Sequence, residues 1–378
     1  MRDAKEAFML YSGTKTWNTF MEARELIRDF KAELDPHIAG FFSEKQAEAD
    51  WQDPFIREAL KDLRDIMLSG GKRLRAALFY HGYLGAGGTD REAILRASIS
   101  VELIHAYLLV HDDIMDRDAL RHGVPTLHER YRKLAEKRFP GHDAVHFGNS
   151  IALILGDMLS AFGNDVLFQA PFPKERVFAA LSCLQNIVSH TVVGQARDVY
   201  MEYQGQATEE EILSMYENKT ARYSIEGPLH LGLLLAGDDA ALKELFSAYA
   251  LPLGVSYQIQ DDIIGSFGTV GEIGKPVGSD VKEGKMTLLV AKGLEMGDRT
   301  QKKRLQTILE RGDALTESEL EEFRSLLRES GAFAATLAIA SEYAEKGRAV
   351  LPRLKERLVP ESYRFLEALS EYIIERNV

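Results

Sequence analysis

The sequence predicts an all-α protein on three observations. Apolar residues recur at three- and four-residue spacing, as in Ile94, Ile99, Leu103, Ala106 and Val110, which sets them on one stripe of a helix. Strict apolar–polar alternation over strand lengths is scarce. Thr208 with Glu211, and Thr316 with Glu319, have the Ser/Thr-x-x-Glu spacing in which each side chain satisfies the other residue's unpaired backbone N–H at a helix start. The chain has 378 residues, 45% of them apolar, enough for a large buried core. Many amphipathic stretches are richer in apolar residues than a surface helix needs, which predicts central helices packed on several sides.

The segments follow in order. The first 17 residues carry Asp3 and Glu6 and no long apolar core, so the expectation is no secretory signal and a cytoplasmic protein. A lone cysteine, Cys183, fits a reducing compartment and cannot form an internal disulfide or a thiolate metal cluster. Residues 1–50 read as a helical extension packed on a single domain of residues 51–378, because no Ser/Pro-rich linker divides the chain. The apolar stretches Ile99 to Val110 and Leu229 to Leu235 are short or broken by Glu102, His105 and Gly232, and read as core helices rather than membrane spans. Gly265 to Lys285, with glycine at 265, 268, 271, 274, 278 and 284, reads as a loop, either a surface connection or a lid over a ligand. Beyond residue 297 the chain is charged and helical in pattern, an expected outer layer. With 46 Lys and Arg against 58 Asp and Glu, the net charge of −12 argues against nucleic acid as a partner.

Chemistry concentrates at two acidic pairs. Asp112 and Asp116, flanking Asp113, lie one helical turn apart after an apolar run, so both carboxylates can hold the same hard cation. His105, seven residues earlier, falls on that face. Asp261 and Asp262 end a second apolar run and lead into the glycine-rich segment. So many carboxylates near one another are costly unless cations lie between them, and oxygen donors alone select Mg2+ or Mn2+ over zinc. Magnesium usually joins a few carboxylates to a substrate phosphate. The candidate phosphate ligands are Lys72 and Arg75, read as a clamp one helical turn apart, with Arg121, His122, Lys219, Thr220, Lys275 and Lys285. The segment GGKRLR lacks the spacing of a nucleotide-binding loop.

Together, GGKRLRA (70–76), ELIHAYLLVHDDIMDRDALRHGVPT (102–126), ILGDML (154–159), GQARD (194–198), NKTA (218–221) and YQIQDDIIGSFGTVGEIGKPVGSDVKEGKMTLL (257–289) resemble the trans-isoprenyl diphosphate synthases, the polyprenyl synthetase family, across residues 50–300. The resemblance implies an isoprenoid-synthase-type helical bundle around a deep central cavity, with the two aspartate motifs facing each other at its mouth. It implies isopentenyl diphosphate on Lys72, Arg75 and His105. Magnesium would lie on Asp112, Asp116 and Asp261, with Asp113 and Asp262 supporting or completing the set. Arg121, Lys219, Lys275 and Lys285 would grip the allylic diphosphate, and Thr220 and Gln258 would lie near its reacting carbon. The implied reaction is head-to-tail condensation through an allylic carbocation, in a homodimer.

Within this resemblance, Tyr107, five residues before Asp112, with Leu108 and Ile104, forms the floor that sets product length, and implies geranylgeranyl diphosphate. Farnesyl or longer products are the alternative. A class I terpene cyclase would lack the second diphosphate site, and a non-catalytic subunit would have eroded aspartates. Two positions depart from the family: His122 stands where a second arginine is common, and Gly265 where the second motif has its last aspartate. The latter predicts an active enzyme whose weakened metal site Gly265→Asp would alter.

Overall fold

A computed structural model describes residues 2–48, 53–268 and 278–374. The described residues are helical nearly throughout; Leu120–Arg121 and Val124–Pro125 form a two-residue antiparallel pair. The chain divides into two compact units, an N-terminal one of residues 27–80 and 89–181 and a C-terminal one of residues 1–26, 81–88 and 182–378. The boundary expected at residue 50 falls among residues 49–52, outside the described residues.

The N-terminal unit is built from α1 (Arg2–Ala47, from Ile27 onward), α2 (Pro54–Leu68), α3 (Leu74–Gly85, to Tyr80), α4 (Arg91–Met115), α5 (Leu127–Arg138) and α6 (Ala144–Phe168). Leu34, Ile38 and Phe42 of α1 are fully buried. The Asp53 carboxylate starts α2 by accepting from the N–H groups of Phe55 at 2.9 Å and Ile56 at 3.1 Å, with Pro54 where its missing N–H costs nothing. Asp90 caps α4 in the same way through the Ala93 N–H at 3.0 Å. Helix α6 packs against both α4 and α5.

The C-terminal unit follows with α7 (Lys174–Gln204, from Ser182 onward), α8 (Glu209–Tyr216), a π-helical segment (Glu217–Glu226), α9 (Gly227–Ala236) and α10 (Ala240–Phe267). It continues with α11 (Ser279–Glu283), α12 (Leu288–Met296), α13 (Arg299–Leu309), α14 (Glu317–Glu329), α15 (Ala332–Arg348), α16 (Leu351–Lys355) and α17 (Pro360–Ile374). Both anticipated capping boxes form, at Thr208 before α8 and Thr316 before α14, and a third, Asp298 with Gln301, starts α13. The π-helical segment continues α8 without a break, bonding five residues back instead of four. Its wider backbone needs room on both sides. A Cβ at Gly194 of α7 would lie 2.5 Å from the Lys219 backbone nitrogen, and one at Gly254 of α10 would lie 2.4 Å from Ala221 Cα.

Three expectations change. The charged tail is more than an outer layer, because Leu305, Phe323 and Leu327 belong to the same buried cluster as Tyr216, Ile259 and Ile263. The glycine-rich segment is helical at both ends: residues 265–267 finish α10, and α11 lies between left-handed Gly278 and Gly284. Finally, α4, α6 and α7 are long and apolar enough to cross a membrane by length and composition, because Glu102 and His105 interrupt α4 too sparsely to lower its hydropathy. In the most apolar window of α4 67% is buried inside the protein, against 39% for α6 and 33% for α7.

Candidate active site

In the N-terminal unit the first aspartate motif ends α4. Asp112 and Asp116 are half-buried, and Asp113 turns inward. Arg121 Nε donates to Asp113 Oδ1 at 2.7 Å and Nη2 lies 2.6 Å from the same oxygen, which ties the short hairpin to the helix end. Burial opposes the charge on Arg121, yet Asp113 and then Asp112 outweigh it and raise the guanidinium pKa. Between its strands, His122 and Gly123 both have positive φ, 51° and 77°, the backbone of a tight hairpin turn matched to strand twist.

Facing this end, the GGKRLR segment does not form the expected helical clamp. Lys72 is exposed and precedes α3, while Arg75 lies half-buried in its first turn, because Arg73 between them takes a left-handed conformation with φ 57°. Arg73, passed over by the sequence reading, is the buried one. Its Nε donates to Asp35 at 2.7 Å, Nη2 donates to the Met67 carbonyl, and Nη1 lies 3.5 Å from Glu102. The Glu102 carboxylate also accepts from the Ala76 N–H at 3.1 Å. A carboxylate in an otherwise apolar helix was the available signal, since it requires a buried partner. The imidazole of His105 is desolvated and faces Arg75, Arg121, Arg73 and His122, and burial first, then those charges, hold its pKa well below the ordinary value. Burial and the neighbouring charges thus both disfavour protonation of the ring.

The residues expected to form the floor differ in their surroundings. Ile104 is buried in the seam with α6, where a Cβ on Gly163 would lie 2.9 Å from Ile104 Cγ1, so it packs between helices. Leu108 and Tyr107 are half-buried, and the Tyr107 ring meets His111 edge-on at 4.8 Å.

In the C-terminal unit the π-helical segment presents Lys219 and Thr220 to different neighbours. Lys219 Nζ donates to Asp198 of α7, so GQARD supplies a side-chain-free position and, one turn later, a counter-ion. The Thr220 hydroxyl donates to Gln258 Oε1 at 2.6 Å, and Gln258 Nε2 donates to Asp262 Oδ1 at 2.8 Å. Tyr216 donates to Asp262 Oδ2 and accepts from the Leu288 N–H at 2.8 Å. Burial, reinforced by the charge of Asp280, pushes the Asp262 carboxyl up to about 8 against those two donors. Asp261 beside it is half-buried. Lys285 Nζ lies 2.8 Å from Glu283. Lys275 lies outside the described residues. At Gly265 a Cβ would stand 2.5 Å from Asp280 Oδ2, so a second carboxylate already fills the space a side chain there would take.

Asp112 and Asp116 at the end of α4, and separately Asp261 on α10, offer hard oxygen donors of the kind that suit Mg2+ or Mn2+. Asp262 differs, since both of its oxygens accept hydrogen bonds from Tyr216 and Gln258.

The nearly all-helical fold, with aspartate pairs on α4 and α10 and cationic side chains near His105, agrees with the isoprenoid-synthase class. The polyprenyl synthetase profile matches residues 57–327, and the chain belongs to that family. It is 35% identical to the geranylgeranyl diphosphate synthase of Saccharolobus solfataricus over 281 residues, covering 72% of this chain and 79% of that protein. It is 31% identical to the geranylgeranyl diphosphate synthase of Methanosarcina mazei, over 85% of this chain and 90% of the relative. Among solved structures, geranylgeranyl pyrophosphate synthase from Corynebacterium glutamicum, complexed with isoprenyl diphosphate and magnesium, superposes with a TM-score of 0.86 at 28% identity, over 92% of this chain and 99% of that one. The chain is a trans-prenyltransferase.

Proposed function

We propose that the enzyme condenses isopentenyl diphosphate with an allylic diphosphate and that geranylgeranyl diphosphate is the main product. The observation that carries this reading is the polyprenyl synthetase match over residues 57–327, supported by the placing of Arg75, Arg121 and Arg73 near His105. Lys72, Arg75 and His105 hold isopentenyl diphosphate, with His122 at the edge of the group. Arg121, Lys219, Lys275 and Lys285 hold the allylic diphosphate and stabilise the charge that develops as its C–O bond breaks. Asp112, Asp116 and Asp261 are the proposed holders of magnesium, which when bound supplies Lewis-acid neutralisation of the departing diphosphate. Asp113 and Asp262 position their neighbours instead. The network from Tyr216 through Asp262 fixes the Gln258 amide, so Gln258 and Thr220 present oxygen dipoles to the allylic carbocation. The double bond of isopentenyl diphosphate attacks that cation, and proton loss to the departed diphosphate leaves a chain one isoprene unit longer.

Purified protein incubated with magnesium, labelled isopentenyl diphosphate and, separately, dimethylallyl, geranyl or farnesyl diphosphate tests the reading. Geranylgeraniol after dephosphorylation is the expected product; no incorporation with any starter would overturn it.

Exposed apolar residues support a homodimer. On α6 these are Val145, Leu153 and Ile154, and on α7 Val192, Val193 and Tyr200. We read both faces as covered by a second copy rather than by lipid, with the enzyme in the cytoplasm; sedimentation at micromolar concentration distinguishes monomer from dimer. Residues 1–50 are read as an extension of the catalytic domain, consistent with the full burial of Leu34, Ile38 and Phe42.

A further inference from the structure

Tyr107 is held by a neighbour, and that neighbour is itself held. His111, one turn further along α4, meets the Tyr107 ring edge-on, with ring planes at 72° and centroids 4.8 Å apart. One edge of the imidazole meets α6 at Gly156, where a Cβ would come within 2.5 Å of His111 Nε2 and 2.6 Å of Cδ2. That nitrogen is 3.2 Å from the Leu153 carbonyl oxygen and 3.7 Å from the Asp157 carboxylate, which also faces Tyr107. The ring is therefore bonded to α6 on one side and packed on Tyr107 on the other, in a space only glycine leaves open.

We propose that His111, seated on Gly156, is a positioning residue for product length: it pins the Tyr107 ring in place, so that the floor is set by an anchored ring and not by the size of Tyr107 alone. This rests on the reading of Tyr107 as the floor. Without the His111 ring, Tyr107 turns into the vacated space beside α6 and the cavity deepens, although residue 107 is unchanged. Forcing His111 off α6 with a methyl group at position 156 releases Tyr107 in the same way, without touching the aspartate motif.

The measurement is the product spectrum, read as the ratio of prenols longer than geranylgeraniol to geranylgeraniol itself, which does not depend on turnover. His111→Ala and Gly156→Ala each raise that ratio about tenfold, the order of discrimination that a few methylenes of pocket space supply. His111→Phe, which keeps an aromatic ring beside Tyr107, stays near wild type. Tyr107→Ala lengthens the product, and adding His111→Ala to it changes nothing more, because the anchor has nothing left to hold. If Tyr107→Ala lengthens the product while His111→Ala and Gly156→Ala give the wild-type spectrum, the anchor is overturned and the floor survives. An unchanged spectrum in Tyr107→Ala overturns the floor and the anchor with it.

Discussion

The ends of α4 and α10 carry the same pair of adjacent aspartates and use them differently. In both, the first aspartate is half-buried and the second turns inward. At α4 the inward carboxylate, Asp113, meets the guanidinium of Arg121; at α10 the inward carboxylate, Asp262, meets the neutral donors Tyr216 and Gln258 among the described residues. A cation compensates a buried carboxylate, whereas neutral donors only reduce the cost of burial, and with Asp280 nearby the carboxyl at 262 moves up to about 8. One motif is thus anchored by an ion pair and the other by a hydrogen-bond chain that ends on Gln258 and Thr220.

The largest expected effect removes the outward aspartates. Asp112→Ala and Asp261→Ala should each lower the condensation rate by at least about a thousandfold, as expected when charge stabilisation of a leaving group is lost; near-normal turnover in either would end the parallel between the two helix ends. Next is Arg121→Met, which strands Asp113 as a buried charge and should cost about 3–5 kcal/mol in urea unfolding. Tyr216→Phe should cost less, about 1–3 kcal/mol, because the partners it leaves are neutral or share a proton; an equal loss at the two sites would erase the contrast. Smaller again is Gly265→Asp, which brings a carboxylate beside Asp280 and should alter the magnesium dependence of the rate; an unchanged dependence would count against a weakened metal site there.

The finest probe is a slope. The carboxyl at 262 is raised in the folded protein above the usual aspartate value of about 3.9, so its contribution is fully present below about pH 4 and is lost as pH climbs toward 8. In EDTA, unfolding free energy should fall across that window relative to Asp262→Asn, and parallel curves would show that Tyr216 and Gln258 hold an ordinary carboxylate.

Local pattern made much of this legible. The helices, two capping boxes and the one-turn spacing of Asp112 and Asp116 follow from three- and four-residue periodicity. So, in principle, did the contact between Gln258 and Asp262, four residues apart on one helix. Partners far apart in sequence were not legible. Nothing near Asp262 points to Tyr216, nothing near Gly265 points to Asp280, and nothing near Arg73 points to Asp35. The one-turn spacing assumed between Lys72 and Arg75 does not form for a local reason, since left-handed Arg73 stands between them and α3 begins only at Leu74. That Ile104 packs at Gly163 of α6 was not legible either, because helical phase gives a face without saying which neighbour covers it.

The π-helical segment has a consequence for register. Between Glu217 and Glu226 the chain holds more residues per turn than the helices on either side, as though one had been inserted. That insertion lets consecutive side chains, Lys219 and Thr220, reach helices as different as α7 and α10. Deleting one residue there would restore an unbroken α-helix and change the directions of the side chains inside the segment, so that Lys219 and Thr220 would no longer both meet Asp198 and Gln258.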